Sequence, residues 1–495
     1  MREWLKNILS GNQTASPGQD DDAVTSGMDS DMEADRAAAE SLWDFREKPA
    51  SRLAPMPATL GIWELAWPTI LAALMHTVVR WVDIKMVGDL GMEAVAGVTA
   101  GGQIYWVIQA VAMALTMGTV ALVSRAIGAK DMSLADRVLR QSIIMGTLFG
   151  LVSWLAFLPW LTPAIALLGM EKTVVDIGAD YTFWLLAGNI PFTLAFVFGA
   201  ALRSAGDSRT PLYVGVVSNL FNIFLNWVLI YGNLGFPAMG VAGAGIASSV
   251  AMVVQLVVFL YMWRTGKLAI KPKSLSFKFE FDVWKRILKI GYPSSIEGFL
   301  FQGGLLAFMS LMATFGTAEF TAYQVGIQVL ALAFLPGHGF ATASSTLVGQ
   351  NLGAEDPDAA AAAGWRSMFM AMGVMGVMGA LMIAISEPFA RWFVDNDEVV
   401  ALSVQFIWLL GMAQPMMAIE NAIGGGLRGA GDTRFPLLTV FCGLFFCRVI
   451  PAYIAVYVFD AGIQVVWSFL LLDYLLKASM MIWRFRQGRW KTIKV

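Results

Sequence analysis

The sequence predicts an all-α integral membrane protein with twelve transmembrane helices in two parallel six-helix lobes, and three observations predict it. The chain of 495 residues is 57% hydrophobic and only 14% charged, whereas a soluble domain carries about 25% charged residues. Twelve stretches stay apolar over the ~20 residues that a bilayer requires. A twelve-residue segment occurs twice, as ALRSAGDSRTPL (201–212) and GLRGAGDTRFPL (426–437), with eight identities at an offset of 225. The same offset pairs Pro68 with Pro293, Gly91 with Gly316, Gly128 with Gly353, Pro163 with Pro388, Gly206 with Gly431 and Pro211 with Pro436. Glycine and proline set backbone shape, so both halves are expected to bend and turn at matching places, as in a duplicated membrane unit.

Along the chain, residues 1–52 carry Asp20, Asp21, Asp22, Asp29, Asp31, Glu33 and Asp35 in a Ser/Gly/Ala setting. Such a segment is too polar to build a core, and a disordered acidic cytoplasmic tail is expected. Lys6 and Asn7 interrupt the apolar stretch near the start, so no signal peptide is expected. An N-terminal lobe, 53–263, holds spans near 60–83, 95–123, 138–160, 177–201, 210–232 and 241–263. Residues 264–285 bring Arg264, Lys267, Lys271, Lys273, Lys278 and Lys285 and read as a cytoplasmic inter-lobe linker. The C-terminal lobe, 286–484, holds spans near 286–313, 319–347, 367–386, 400–427, 435–457 and 462–483, and a basic cytoplasmic tail follows at 485–495.

Orientation rests on Lys and Arg, which collect on the cytoplasmic side. With both termini inside, the inner segments hold 28 of the 34 basic residues and the outer loops only Lys172 and Arg391. An even span number then repeats the first half in the same orientation, which makes the repeats parallel.

Enzyme chemistry finds little to build on. Cys442 and Cys447 lie in one apolar span without a metal or redox motif, and His76 and His338 fall in different halves without a ligand set around them. No catalytic group, metal site or cofactor is expected, and no nucleic-acid partner.

Charges within the spans are more informative, because each costs about 2.5–3.5 kcal/mol at the bilayer centre and therefore faces a cavity, a partner or an ion. Asp83 in the first span is one; an ion pair with Arg80 or Lys85 would also account for it. His76, seven residues earlier, shares its face and reads as a proton relay or a packing residue. Asn219, Asn222 and Asn226 line one face of the fifth span, and Asn189 lies beside Pro191 in the fourth. Glu297 and Glu420 have no acidic counterparts, since the residues 225 earlier are Ala72 and Ala195. Asp473 and Lys477, four apart, are expected to neutralise each other, and Arg448 to pair with an acid or backbone carbonyls.

On these features residues 60–484 resemble the multidrug and toxic compound extrusion (MATE) family of secondary transporters. The resemblance lies in VDIKMVG (82–88), in the paired LRSAGDSRTP and LRGAGDTRFP segments, and in FLPGHGFATASSTLVGQNLGAEDPDAA (334–360) with its counterpart VSRAIGAKDMSLAD (123–136). It implies two six-helix lobes about a cleft open to one side, and export of amphipathic, often cationic compounds driven by inward flow of H⁺ or Na⁺. It also implies that Asp83 binds the coupling cation. In the family the fifth-helix motif reads Asn, three residues, Asp; here it is Asn222 and Asn226, which leaves Asp83 as the acid of that cluster; Asn189 either joins it or satisfies the carbonyls freed by Pro191. Glu297 resembles an acid that follows the seventh-helix proline in many members. Glu420 lies three residues beyond Met417, where one branch has an aspartate. Both are candidates for second-lobe cation or substrate contacts, or for hydrogen-bonded structural acids. Tyr105, Trp106, Gln324 and Gln328 are candidate cleft residues because the second and eighth helices border the cleft in the family. The LR-x-AGD-x-R-x-P segments are expected in short cytoplasmic loops as gate or scaffold devices, and the methionine-rich run 368–382 as close helix packing.

The function expected is a cation-coupled antiporter, a monomer in the cytoplasmic membrane, with a small-molecule substrate and membrane lipid as its partners. The alternative is a lipid-linked oligosaccharide or lipid II flippase of the same superfamily, which would favour a strongly cationic cavity. The small number of embedded arginines and lysines speaks against it.

Overall fold

A computed structural model of the protein describes residues 58–270, 278–493 and 495. The acidic segment 1–52 and the centre of the linker lie outside the described residues. Twelve long helices follow in chain order among the described residues: α1 (Ala58–Gly88), α2 (Met92–Gly128), α3 (Met132–Phe157), α4 (Lys172–Ala187 and Asn189–Ser204), α5 (Arg209–Tyr231), α6 (Gly240–Arg264), α7 (Phe281–Met312), α8 (Thr317–Gly353), α9 (Pro357–Ala384), α10 (Asp397–Gly429), α11 (Arg434–Phe459) and α12 (Ile463–Gln487), with the short helices Leu161–Ala166 and Ser386–Phe393 following α3 and α9. Ten are long and apolar enough to cross a membrane, and α4 makes an eleventh if its two segments count as one span. The 37-residue α2 is a further long helix, of which the described part that counts as apolar is Leu115–Gly128.

Two spans are broken for local reasons. The halves of α4 meet at 53° around Gly188, where a Cβ would come within 2.6 Å of the Ser249 hydroxyl on α6. Pro191 has no N–H to return to the preceding turn, so the break is not repaired. In α11 the residues Cys442–Val449 form a π-helical stretch. It ends two residues before Pro451, and the loss of that donor favours the wider turn.

Each lobe borrows half a helix from the other. Ile62, Leu65 and Ala66, before Pro68 in α1, belong to a buried core otherwise made by α7 to α12. Gly339 of α8 seats against Ile70 and the Ala66 carbonyl. Beyond Pro68, Val87 returns to its own lobe, in a cluster with Ile230 of α5. The second half mirrors this. Val283, Ile287 and Ile290, before Pro293 in α7, lie in the core formed by α2 to α6, while Phe308, Leu311 and Met312 beyond it join the second-lobe core. A helix-interior proline thus stands in each repeat where the helix changes partners.

The lobes are clasped at the end that carries the repeated motifs. Gly128 of α2 lies against the Gln350 backbone and Gly353 of α8 against the Arg125 backbone, so closely that a Cβ at either position would overlap it. Arg125 donates to the Ala430 carbonyl at 2.9 Å, and Gln350 to the Ser204 carbonyl at 2.8 Å. Arg125 and Gln350 are 225 residues apart, so each α2-type helix bonds the other lobe's motif. Thr346 adds a bond to the Arg203 carbonyl at 3.2 Å.

The ends of the linker lie on the first lobe: Leu268 and Ile270 are buried there, and Gln141 of α3 bonds the Lys278 carbonyl, the Glu280 N–H and the Trp284 indole. The buried second-lobe core continues past 484 through Phe485 and Trp490, whose rings stack at 4.6 Å.

Candidate functional site

Asp83 sits on the second half of α1, opposite α5. Asn226 donates its side-chain amide to the Asp83 carboxylate at 2.6 Å. With its amide turned so that nitrogen and oxygen face complementary partners, Asn222 donates to the same carboxylate oxygen at 3.3 Å and accepts from the Ser248 N–H at 3.2 Å. The four-residue spacing on α5 places both amides on one face, towards α1. The ion pair with Arg80 or Lys85 is not formed; no cation lies within 4.0 Å of Asp83 among the described residues. The Asn226 carbonyl oxygen is buried and unpartnered, an oxygen ligand in reserve beside a carboxylate.

Asn189 does not join this cluster. It stands at the break of α4, where it donates to Ser153 of α3 at 2.6 Å, because the kink turns the start of the second segment towards α3. Two neighbours that spacing alone did not mark do belong to the surroundings of Asp83. Ser248 orients Asn222, and Tyr181 of α4 packs on the cluster in which Val87 of α1 meets Ile230 of α5. A third contact ties the same helix ends together, the Tyr231 hydroxyl donating to Asp89 at 2.6 Å.

The second lobe is built differently. By the repeat offset, Phe308 stands for Asp83, Cys447 for Asn222 and Pro451 for Asn226. Four charged groups are gathered instead. Lys477 lies 3.3 Å from Asp473 and 3.4 Å from Glu420, and Arg448 lies 3.8 Å from Asp473. Asp473 is therefore the partner that Arg448 lacked in the sequence. The π-helical stretch delivers Arg448 inward, and Gly443 leaves room for the Asp473 carboxylate and the Lys477 stem. Phe308 lies under the Arg448 guanidinium at 5.0 Å and Tyr474 under the Lys477 ammonium at 4.5 Å. Such contacts stabilise a desolvated cation by about 2 kcal/mol.

Glu297 of α7 is held by Arg428 of α10, the arginine of the second motif copy. Glu297 and Glu420 are thus each met by a cation of the chain, while the second carboxylate oxygen of Glu297 is buried without a hydrogen-bond partner. Arg203 and Arg428 lie not in loops, as expected, but in the last helical turns of α4 and α10. The turn itself follows, with Gly206 and Gly431 both in the left-handed region at φ 93° and 89°. Asp207 caps α5 through the Thr210 N–H at 2.9 Å, whereas Asp432 pairs with Arg484 of α12 at 2.8 Å.

Of the expected cleft residues, Tyr105 is withdrawn into the first lobe, 8% exposed. There its hydroxyl accepts from Gln109 at 2.6 Å and it packs on Leu161, Leu185 and Leu186. The helical turn carries Trp106 outward, where it is exposed. Gln324 and Gln328 are exposed on one face of α8. Among the described residues no group of three or more His, Cys, Asp or Glu side chains converges as a metal site.

Known proteins resemble the chain along nearly all of these elements. A family model described as MatE matches residues 68–228 and again 293–454, the two halves separately. A probable multidrug resistance protein NorM of Thermotoga maritima is 27% identical over 439 residues, 86% of this chain and 92% of that protein. The uncharacterised transporter YisQ of Bacillus subtilis is 24% identical over 442 residues, covering 88% and 96%. Among solved structures, a MOP superfamily transporter from Pyrococcus furiosus superposes with a TM-score of 0.83 at 22% identity, covering 90% of this chain and all of that one. An outward-facing multidrug resistance MATE family transporter gives 0.81 at 22% identity, covering 90% and 98%.

Proposed function

From the MatE family, to which this chain belongs by a match to both of its halves, we propose a cation-coupled antiporter that exports amphipathic or cationic compounds across the cytoplasmic membrane, with Asp83 carrying the coupling H⁺ or Na⁺. The observation that carries this reading is the contrast among the acids inside the spans. Glu297, Glu420 and Asp473 each face a cation, whereas Asp83 faces two amides. A carboxylate held by neutral donors keeps its charge for an ion that comes and goes. The multidrug resistance relatives support the cargo class.

Coupling follows from where Asp83 sits. Ahead of Pro68, α1 is anchored in the second lobe; beyond it, the Asp83 bond to Asn226 ties α1 to α5. A proton or Na⁺ on Asp83 weakens that charge-assisted bond and lets the second half of α1 move about the proline while the first half stays in place. Cation binding is thereby linked to the position of a helix shared by both lobes, which is what exchange between two cleft arrangements requires. The monomeric state, with both chain ends in the cytoplasm, belongs to the same proposal.

The test is export of a fluorescent cationic dye from proteoliposomes under imposed pH or Na⁺ gradients. Asp83→Asn keeps the shape and removes the exchangeable charge. Gradient-driven export should fall by about 100-fold, equivalent to about 2.7 kcal/mol, with dye binding retained. Undiminished gradient-driven export by the variant would move coupling away from Asp83.

A further inference from the structure

The two copies of the repeated motif place their arginines alike and partner them differently. Arg203 and Arg428 both fold back over a glycine one turn earlier in their own helices. A Cβ on Gly199 would lie 3.2 Å from an Arg203 guanidinium nitrogen, and one on Gly424 would lie 3.1 Å from an Arg428 nitrogen. The postures match; Arg428 meets Glu297. The residue 225 before Glu297 is Ala72, and among the described residues no acid lies within 4.0 Å of Arg203. The Arg203 guanidinium also makes no hydrogen bond to a described residue, although the side chain is only partly exposed.

A desolvated guanidinium without a counter-ion costs several kcal/mol, and one lobe of this protein removes that cost with a glutamate that the other lacks. The planar fork of an arginine matches a carboxylate or another oxyanion better than any other ligand. We propose that Arg203, left open by Ala72, is an anion subsite that takes the acidic group of the cargo, so that compounds carrying a carboxylate or similar oxyanion beside their cationic or aromatic part are the preferred class. This rests on the export reading above and adds the chemistry of one end of the cargo.

Two rhodamine dyes that differ only in a free carboxylic acid or its methyl ester test it. Their affinities for purified protein in nanodiscs are compared by fluorescence anisotropy, for wild type, Arg203→Gln, Arg203→Lys and Ala72→Glu. Wild type should bind the acid about tenfold more tightly than the ester, a difference of about 1.4 kcal/mol. Ala72→Glu supplies the missing counter-ion from within and should bring the ratio close to one, as should Arg203→Gln. Arg203→Lys keeps the charge and should keep much of the preference, which separates loss of the cation from a disturbed fold. Equal affinities in wild type, or an acid preference that survives both Ala72→Glu and Arg203→Gln, would overturn the subsite. Export of the ester by wild type under a cation gradient, measured in vesicles alongside, reports on the transport reading alone. Loss of that export with an intact acid preference would overturn the antiporter and leave the subsite standing.

Discussion

The first lobe holds the carboxylate of Asp83 between two amides, whereas the second gathers two carboxylates and two cations beside Phe308, its counterpart by the repeat. Both arrangements stand in one repeated unit, and they differ at distinct positions: Asp83, Asn222 and Asn226 face Phe308, Cys447 and Pro451, while Glu420, Arg448, Asp473 and Lys477 face Ala195, Ile223, Ser248 and Met252. The cluster of Arg448, Asp473, Lys477 and Glu420 cancels internally, and Asp473 and Lys477 are 0% and 1% exposed. Charges that cancel in a low-dielectric interior hold helices in register. A charge left over can be exchanged. If Asp83 carries the coupling ion, as proposed, duplication released the second lobe to serve as a strut.

The sharpest way to break this comparison is to unbalance the strut. Asp473→Asn leaves Arg448 and Lys477 buried with only Glu420 to offset them, and should destabilise the protein by about 3–5 kcal/mol, read as a lower unfolding temperature in detergent. If the unfolding temperature stays put and cation dependence disappears instead, the second lobe is an ion site after all. A smaller effect is expected in the first lobe. Asn226→Asp puts a second carboxylate beside Asp83 and should tighten Na⁺ by about tenfold, or about 1.4 kcal/mol, measured by isothermal titration at a pH where both are ionised. Unchanged or weaker Na⁺ binding would argue that the amide oxygen already serves. The smallest effect concerns the clasp that joins the lobes. Gln350→Ala removes the bond to the Ser204 carbonyl, worth about 1 kcal/mol. That should shift the balance between clasped and parted motif ends about fivefold, visible as a change in the distance distribution between spin labels on the α2 and α8 termini. An unchanged distribution would show that glycine contacts alone hold the clasp.

Much of the architecture was legible in the sequence because its signals are local or periodic. Span lengths, the offset of 225 and the four-residue spacing of Asn222 and Asn226 each follow from counting along the chain. The i, i+4 pair Asp473 and Lys477 was legible for the same reason, and it forms at 3.3 Å. What stayed hidden depends on helices that meet across long separations. Glu297 and Arg428 are 131 residues apart, and nothing in either segment specifies the other. Asn189 was drawn towards Asp83 by its chemistry, but the break at Gly188 sends it to Ser153. Tyr105 was assigned to the cleft from its helix alone, and one helical turn decides whether a residue faces a cavity or its own lobe. For Arg203 and Arg428 the glycine that ends each helix is plain in the sequence, and the helical turn before it is not.

The exchanged halves of α1 and α7 also set an order on biosynthesis. When the sixth helix has entered the membrane, the core of the first lobe still lacks Val283, Ile287 and Ile290, and the opening segment of α1 has no seat until α8 and its neighbours arrive. The first half of the polypeptide therefore cannot finish packing while it is being made. Its groove is filled only when the residues ahead of Pro293 are in place.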